Sequence, residues 1–401
     1  MSRILMITDG RFADQIRVSN EARAMASAGL QVEVHALDSF CDNASWEWHG
    51  VSVHQHRLPK WCHWARVLNA ELPFYAWMVS RTLKKALAHA SPDVIHVHNL
   101  FVWRGARKLS SQWPKVKWVL DIAENLPEIM QEYDHVKRGL GRWMIRPSQW
   151  AQLQTQALND ADHVVLVTQA ALTDYTDRLG LVPDKGVICD NVPWDDHIGM
   201  EGLDGLKRRF GNAFVLFYFG DTSRRRGTDL AIHAMPRIVA GVPNAQLVIV
   251  GKNKREDVFL QELKSLSPVG DHIHLEGFQP MASLGAYLSV ADVGLSPLVR
   301  NVHHDTTHAN KLFQFMHGGL PLVVSDCPAQ ATLVATTNTG LVHRGGDVDS
   351  LVEAILKLAQ NPTMALEMGK RGQGAVKARF NWHEEIQPYL QKVCGQANQR
   401  S

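Results

Sequence analysis

Long apolar runs are missing from this 401-residue chain. The longest strongly apolar stretch, Phe214–Phe219, falls far below the roughly 20 residues that a membrane-spanning helix needs. The opening MSRILMITDG reaches Asp9 after only a few apolar residues, too few for the core of a secretory leader. Cysteine is scarce as well: Cys41, Cys62, Cys189, Cys327 and Cys394 are scattered, odd in number and never in CxxC spacing. That argues against a disulfide framework or a zinc ribbon and for a reducing compartment. A dominant charge sign is also lacking, with 42 basic against 40 acidic side chains, so the whole-chain balance gives no argument for nucleic acid as a partner. The expectation is a cytoplasmic protein whose membrane contact, on the inner face, is peripheral.

What is present is a globular composition, 45% apolar and 20% charged, long enough at about 150 residues per domain for two or three domains. The halves differ. Residues 1–150 hold 19 Lys/Arg against 14 Asp/Glu and ten of the twelve tryptophans, which points to two halves with different chemical partners. Short apolar runs alternate with helical patterns throughout. Strands are predicted at Arg3–Thr8, Val32–Leu37, Val94–Val97, Val116–Ile122 and His163–Val167, then at Phe214–Phe219, Gln246–Val250, His272–Leu275, Val293–Leu295 and Leu322–Val324. Such alternation predicts α/β domains with doubly wound parallel sheets. Turn residues at Cys189–Pro193 mark the boundary, and ligands are expected beyond the carboxyl ends of the strands. Ser350 and Glu353 have capping-box spacing for a helix over Asp349–Ala359, which Asn361-Pro362 ends.

Two segments carry the chemistry. Asn310 to Asp326 reads as a lysine at a helix start, an amphipathic turn, Gly318-Gly319, Pro321 and an apolar strand. Free N–H groups at Asn310–Leu312, the helix dipole and Lys311 together suit a phosphate. Phe217 to Gly227 is a strand, a glycine turn at Gly220 and the basic loop Arg224-Arg225-Arg226, whose guanidinium groups can pair bidentately with a diphosphate.

These segments resemble the donor half of the family 4 retaining glycosyltransferases of the two-Rossmann-domain (GT-B) type. Gly220 to Gly227, Leu247 to Gly251, His274 to Phe278, Ala291 to Pro297 and Lys311 to Pro321 occupy the family's places in order. The front half is similar through Arg17-Val18 with Glu21-Ala22, Pro92 to His98 and Asp162 to Thr168, and Asn381-Trp382 resembles the start of the C-terminal helix. The resemblance implies two Rossmann-like domains facing across a cleft, an acceptor-side domain over 1–190, a nucleotide-sugar donor domain over 191–378, and a helix over 379–401 returning to the first. It further implies transfer of a sugar from a nucleotide-diphosphate sugar to an acceptor hydroxyl with retention of configuration, without cofactor or metal, in glycan or surface-polysaccharide biosynthesis. Arg226 and Lys311 would neutralise the diphosphate with the Leu312 helix start. Gln314 would hold the ribose, Gly220 would form the turn, Lys252 and Gly277-Phe278 would lie near the base, and Asp305 or Thr306 near the sugar.

The chain departs from the family at several places. The paired glutamates are replaced by Thr306 and Gln314, the first basic residue after the glycine turn by Asp221, and the usual histidine by Ala123. Glu124 remains at a strand end as a group able to orient or deprotonate a hydroxyl, with a capping role ahead of Pro127 as the alternative, and His98, ending the preceding strand, is a second candidate, with a structural role as its alternative. These losses keep open a catalytically silent binding protein of the same fold, and a nucleotide-sugar epimerase. His303, His304, Asp305 and His308 have ligand-type spacing, but in a loop beside the donor they suit hydroxyl contacts better than zinc. Asp347-Val348-Asp349 resembles a metal-binding DxD, yet acids are favoured at a helix start anyway. Finally, Arg57–Lys85 mixes Trp61, Trp64, Phe74, Tyr75 and Trp77 with Lys60, Arg66, Arg81, Lys84 and Lys85, and Val136–Trp150 repeats the mixture with Lys137, Arg138, Arg142, Trp143 and Arg146. Such segments suit an anionic membrane surface or a lipid-linked acceptor, against the alternative of core tryptophans beneath exposed basic residues.

Overall fold

The computed structural model describes residues 2–130, 144–194, 198–252 and 256–395. Lys137, Arg138, Arg142 and Trp143 of the second basic aromatic segment lie outside the described residues. The chain forms two compact units, 1–191 together with 382–401, and 192–381.

The first unit holds β1 (Arg3–Asp9), β2 (Gln31–Asp38), β3 (Ala44–Trp48), β4 (Val51–Arg57), β5 (Val94–His98), β6 (Lys117–Ile122), β7 (His163–Leu166) and β8 (Gly186–Ile188). They form one sheet in the order β3-β4-β2-β1-β5-β6-β7-β8. Every pairing is parallel except β3–β4. The apolar runs are strands because they are buried on both faces: Ile4 to Ile7 and Val94 to Val97 are enclosed. Helices Ile16–Ser27 and Phe74–Ala86 are among those of this unit. The hairpin β3–β4 was not expected. It turns at His49 and Gly50, which have φ of 47° and 77°, the two left-handed residues of a tight hairpin turn.

The second unit holds β9 (Phe214–Phe219), β10 (Ala245–Val250), β11 (Ile273–Leu275), β12 (Val293–Ser296), β13 (Leu322–Ser325) and β14 (Gly340–His343), all parallel, in the order β11-β10-β9-β12-β13-β14. Helix Val348–Gln360 is capped differently from expectation. Asp347 is the N-cap and accepts from Ser350 N–H at 3.0 Å, three residues before the cap that the Ser350–Glu353 spacing suggests. Asp349 meets Arg237, so the DxD acids serve a helix start.

Strand order reverses between β1 and β5 in the first sheet and between β9 and β12 in the second. In open α/β sheets that reversal opens a crevice at the strands' carboxyl ends. The returning segment is two short helices, Trp382–Glu385 and Gln387–Lys392, rather than one. It is tied to the first unit by Lys392 Nζ donating to Gly186 O at 2.9 Å, Lys117 Nζ donating to Val393 O at 2.6 Å and Asp190 N–H donating to Glu385. Among the described residues no helix is long and apolar enough to cross a membrane.

Candidate functional site

At the reversal of the second sheet, the chain leaving β9 turns at Gly220 (φ 119°) and enters a single 3₁₀ turn, Arg224–Arg226. Gly227 then starts helix Thr228–Gly241 with φ 71°. Glycine is required there twice over: the backbone is left-handed, and a Cβ would sit 1.8 Å from Pro297 O. This close approach, with Val299 N–H donating to Arg225 O at 3.0 Å, fixes the arginine loop against the end of β12.

The three arginines divide. Arg224 pairs with Glu256 at 3.0 Å and lies over the Phe259 ring, so it is drawn away from the group expected to grip a diphosphate. Arg225 and Arg226 both face Asp221, at 3.6 and 3.7 Å. Asp221 thus holds their guanidinium groups beside the crevice, at distances too long for strong hydrogen bonds.

Helix Lys311–His317 is short, seven residues, and anchored by Leu312, Phe313, Phe315 and Met316, all enclosed. Phe315 meets Phe219 edge to face. Two expectations are corrected here. The N–H of Leu312 already donates to Ala309 O at 2.9 Å, so it is not a free phosphate donor, and seven residues give a weak dipole. Charge must come from side chains instead. Lys311 supplies it: 7% exposed, its Nζ lies 3.4 Å above the Tyr218 ring centre and has no hydrogen-bond partner. Burial, with Arg226 nearby, holds its pKa well below the ordinary lysine value.

Further buried nitrogens around this point are also without hydrogen-bond partners: Arg226 Nε, His303 Nδ1 and His304 Nε2. Burial drives the imidazole of His303 down to about 3 and that of His304 to about 4, and Arg225 and Arg226 add to both shifts. Orphaned buried polar atoms are rare and call for a partner. His304 Nε2 is the acceptor of a neutral ring whose Nδ1 donates to Val299 O at 2.7 Å, so Lys311, Arg226 and His303 are the groups that call for an anion here.

Other expected contacts fare differently. Residues 302–306 form a short helix rather than a loop. Asp305 is clamped by Arg300 through two bonds of 2.7 and 2.9 Å, which occupies the carboxylate expected near the sugar. The Thr306 hydroxyl bonds back to Val302 O and His303 O, the usual habit of a helical threonine. His304 and His308 spend ring nitrogens on Val299 O and Ala329 O. Gln314 is buried on the same helix as Lys311. At the ends of β10 and β11, Gly251 N–H donates to Gly277 O at 2.8 Å, Gly277 has φ 64°, Lys252 is exposed, and Phe278 stands 75% exposed.

In the first unit, the sheet reversal exposes a different chemistry. His98 is not a free strand-end base. It is enclosed in a network with Glu21, His96, Asp121 and Arg17. Arg17 grips Asp121 through bonds of 3.0 and 2.9 Å, bonds Cys189 O and pairs with Glu21 at 2.7 Å. Burial lifts Glu21 well above the usual carboxylate range, while Arg17 and the histidines hold Asp121 well below it. Burial and His96 push His98 well down. His96 also meets the Tyr389 hydroxyl at 3.1 Å, tying the C-terminal segment to the same polar core. Glu124 is exposed two residues beyond β6. The next helix begins at Leu126, with Asn125 O accepting from Ile129 N–H, so Asn125 rather than Glu124 stands at the capping position. The sequence reading missed Asp9, which ends β1 beside Gly10. It is buried, held by Tyr75 OH at 3.1 Å and Arg66 at 3.2 Å, and burial raises its pKa. An acid followed by glycine at a strand's carboxyl end was the available signal.

Sequence comparison decides the family. Residues 15–191 match the model described as glycosyl transferase 4-like domain, and residues 213–361 match that of glycosyl transferases group 1. The chain belongs to the group 1 glycosyl transferases. Similar relatives include a Corynebacterium glutamicum protein named GDP-mannose-dependent monoacylated alpha-(1-6)-phosphatidylinositol monomannoside mannosyltransferase. It is 30% identical over 39% of this chain and 41% of that one. Another is a Mycolicibacterium smegmatis GDP-mannose-dependent alpha-(1-6)-phosphatidylinositol monomannoside mannosyltransferase, 28% identical over 56% and 60%. The chain thus spans about two to three fifths of the length of these relatives. Among solved structures, the fold is shared with sucrose-phosphate synthase from Thermosynechococcus elongatus (TM-score 0.76, 17% identity, 99% and 100% of the two chains). It is also shared with Anabaena Alr3699/HepE in complex with UDP (TM-score 0.71, 14% identity, 99% and 100%). The group 1 fold, two parallel α/β units of GT-B type, is therefore the architecture of this chain.

Proposed function

We propose that this group 1 glycosyl transferase moves a hexose from a nucleoside-diphosphate sugar to a hydroxyl of a lipid-linked or glycan acceptor, with retention of configuration. The observation that carries the reading is the group Lys311, Arg226 and His303 at the β9/β12 reversal, whose buried Nζ, Nε and Nδ1 have no hydrogen-bond partner. A leaving diphosphate gains negative charge as the glycosidic bond breaks. Arg226 and Lys311 meet that charge as preorganised cations in a water-poor setting, where they act more strongly than in bulk. Asp221 keeps the arginines aligned until the ligand displaces its long contacts. His303 donates to a phosphate oxygen or sugar hydroxyl, Gln314 bonds the ribose, and exposed Phe278 with Lys252 takes the base. Attack by the acceptor hydroxyl on the face that the diphosphate leaves lets a phosphate oxygen take the proton. That route requires neither the histidine replaced by Ala123 nor a metal, and Glu124 and Asp9 orient the acceptor. The relatives' names make GDP-mannose the first donor to try.

The same reading assigns the acceptor unit a peripheral contact with anionic membrane. Trp61, Trp64, Phe74 and Trp77 are exposed, Trp64 by 74%, among Lys60, Arg81, Lys84 and Lys85, and only Tyr75 of the five aromatics is enclosed.

The test is a thermal-shift titration with GDP, UDP, ADP, dTDP and CMP on wild type and Arg226→Ala. Binding to the native state adds roughly 2.7 kcal/mol of apparent stability at a hundred times Kd. The expected result is a shift with one nucleoside diphosphate that disappears in the variant. No shift with any of them, or an unchanged shift in Arg226→Ala, overturns the donor assignment.

A further inference from the structure

Strands β2 and β4, next in from the edge strand β3 of the first sheet, carry a second cluster of ligand-type side chains. Glu33 and His35 come from β2, and His54 and His56 from β4, with His35 and His54 directly opposite each other in register. Side chains two apart on a strand share a face, so all four project from one side of the sheet. His35 Nε2 lies 2.7 Å from Glu33 Oε1, and His54 Nε2 lies 3.4 Å from the same oxygen. Oxygen and nitrogen ligands about 2.0–2.1 Å from a tetrahedral zinc are separated by roughly 3.3 Å. The His54–Glu33 separation already matches that spacing, the His35–Glu33 pair is closer by the length of a hydrogen bond, and all three atoms lie within 4.8 Å of one another.

The other ring nitrogen of each histidine is held. His35 Nδ1 lies 2.8 Å from His56 Nε2, and His54 Nδ1 lies 2.8 Å from Ser45 Oγ on β3. With the Nδ1 protons donated to these partners, an ion that replaces the His35–Glu33 hydrogen bond meets an Nε2 lone pair from each ring. This is the outer-shell arrangement that fixes tautomer and ring orientation in histidine metal sites. Glu33 and His54 each keep about a third of their side-chain surface in water, 33% and 32%, so an ion and its remaining water ligand have access.

The other group of this kind among the described residues, Glu21, His96, His98 and Asp121, is a poorer candidate. Arg17 already supplies the positive charge there, at 2.7 and 2.9 Å from the two carboxylates.

We propose that Glu33, His35 and His54 bind a divalent first-row transition metal, zinc by donor type, with His56 and Ser45 as the supporting partners. Two imidazoles and one carboxylate suit Zn²⁺ rather than Mg²⁺ or Ca²⁺, which prefer oxygen. Glu33 and His35 are the third and fifth of the eight residues of β2, and His54 the fourth of seven in β4, so the site lies at mid-strand, short of the carboxyl ends where the proposed transfer is placed. The bound ion is structural: it cross-links β2 to the edge hairpin β3–β4.

The experiment is a calorimetric titration of ZnCl₂ into the EDTA-treated full chain, with melting curves in parallel, on wild type, His54→Ala and Glu33→Gln. One equivalent of Zn²⁺ should bind wild type and raise its melting temperature, excess Mg²⁺ should not compete, and each variant should lose at least tenfold in affinity. Glu33→Gln keeps the side chain's size, so it decides the matter if His54→Ala does not fold. Absence of saturable Zn²⁺ binding to wild type, or wild-type affinity in either folded variant, overturns the proposal.

Discussion

Lys311 and Arg17 are both buried cations, held in opposite ways. Arg17 is gripped by Asp121 and Glu21 and bonded to a carbonyl. Removing it leaves the ionised Asp121 buried without its partner, which costs on the order of 3–5 kcal/mol. Lys311 has an aromatic ring beneath it and no hydrogen-bonded acid, so its desolvation is uncompensated until a diphosphate arrives. Lys311→Met should leave the ligand-free protein as stable as wild type or more so, and should abolish the nucleotide-induced shift. Arg17→Ala should lower the urea midpoint steeply. Chemical denaturation of both variants checks the contrast, and a destabilised Lys311→Met would show that the lysine is a structural cation. The residue types at these positions were legible in the sequence. That Arg224 turns to Glu256, that Asp305 is taken by Arg300 and that His98 sits in a closed network was not, because each depends on partners dozens of residues away.

At the scale of elements, helix Phe74–Ala86 shows how one pattern serves two surfaces. Tyr75, Ala76, Val79 and Leu83 are buried, and the helix packs on helix Leu100–Arg107. Trp77, Arg81, Lys84 and Lys85 face outward and line, with Ser80, a groove of about 380 Å³, and Arg81 lies over the Trp77 ring. An outward face of this kind gains from anionic lipid both by apolar insertion and by roughly 1 kcal/mol per basic residue near the surface. Co-sedimentation with vesicles containing phosphatidylserine should retain the protein, and Trp77→Ser with Lys84→Gln and Lys85→Gln should release it at unchanged fold. Equal binding of this variant would assign the face to another role. The hairpin β3–β4 escaped the sequence reading because its strands are half polar and its turn residues are His49-Gly50 rather than Asn-Gly. The alternation of Val51 and Val53 was the faint signal.

For the whole molecule, the balance of buried titratable groups sets the pH response. Burial lowers the pKa of His98, His163, His274, His303, His304 and His343. Their folded pKa values lie below the unfolded value near 6.5, so between about pH 6.5 and 4 the unfolded chain binds protons that the folded chain does not. Stability is then full above pH 6.5 and falls as pH drops through that window. Each fully buried imidazole contributes at most about 1.4 kcal/mol per pH unit, and half-buried ones less. Glu21, Asp9, Glu71 and Asp292, whose carboxyls burial raises, work in the opposite direction, but they are fewer than the six imidazoles. Urea midpoints should decline between pH 7 and pH 5, and a flat profile would contradict this assignment of burial.

The sequence by itself determined the two parallel α/β units, and the basic loop and lysine helix at the ends of their strands. These are written in local terms, as continuous apolar strands, glycine turns and helix starts, which short-range sterics and burial enforce. Tertiary structure alone decided which charges are paired and which are left over. Ion pairs such as Arg17–Asp121, Arg300–Asp305 and Arg209–Glu276, and the facing of His35 with His54, arise from strand order and register. No local pattern specifies them, and the strength of each depends on how completely the fold removes it from water.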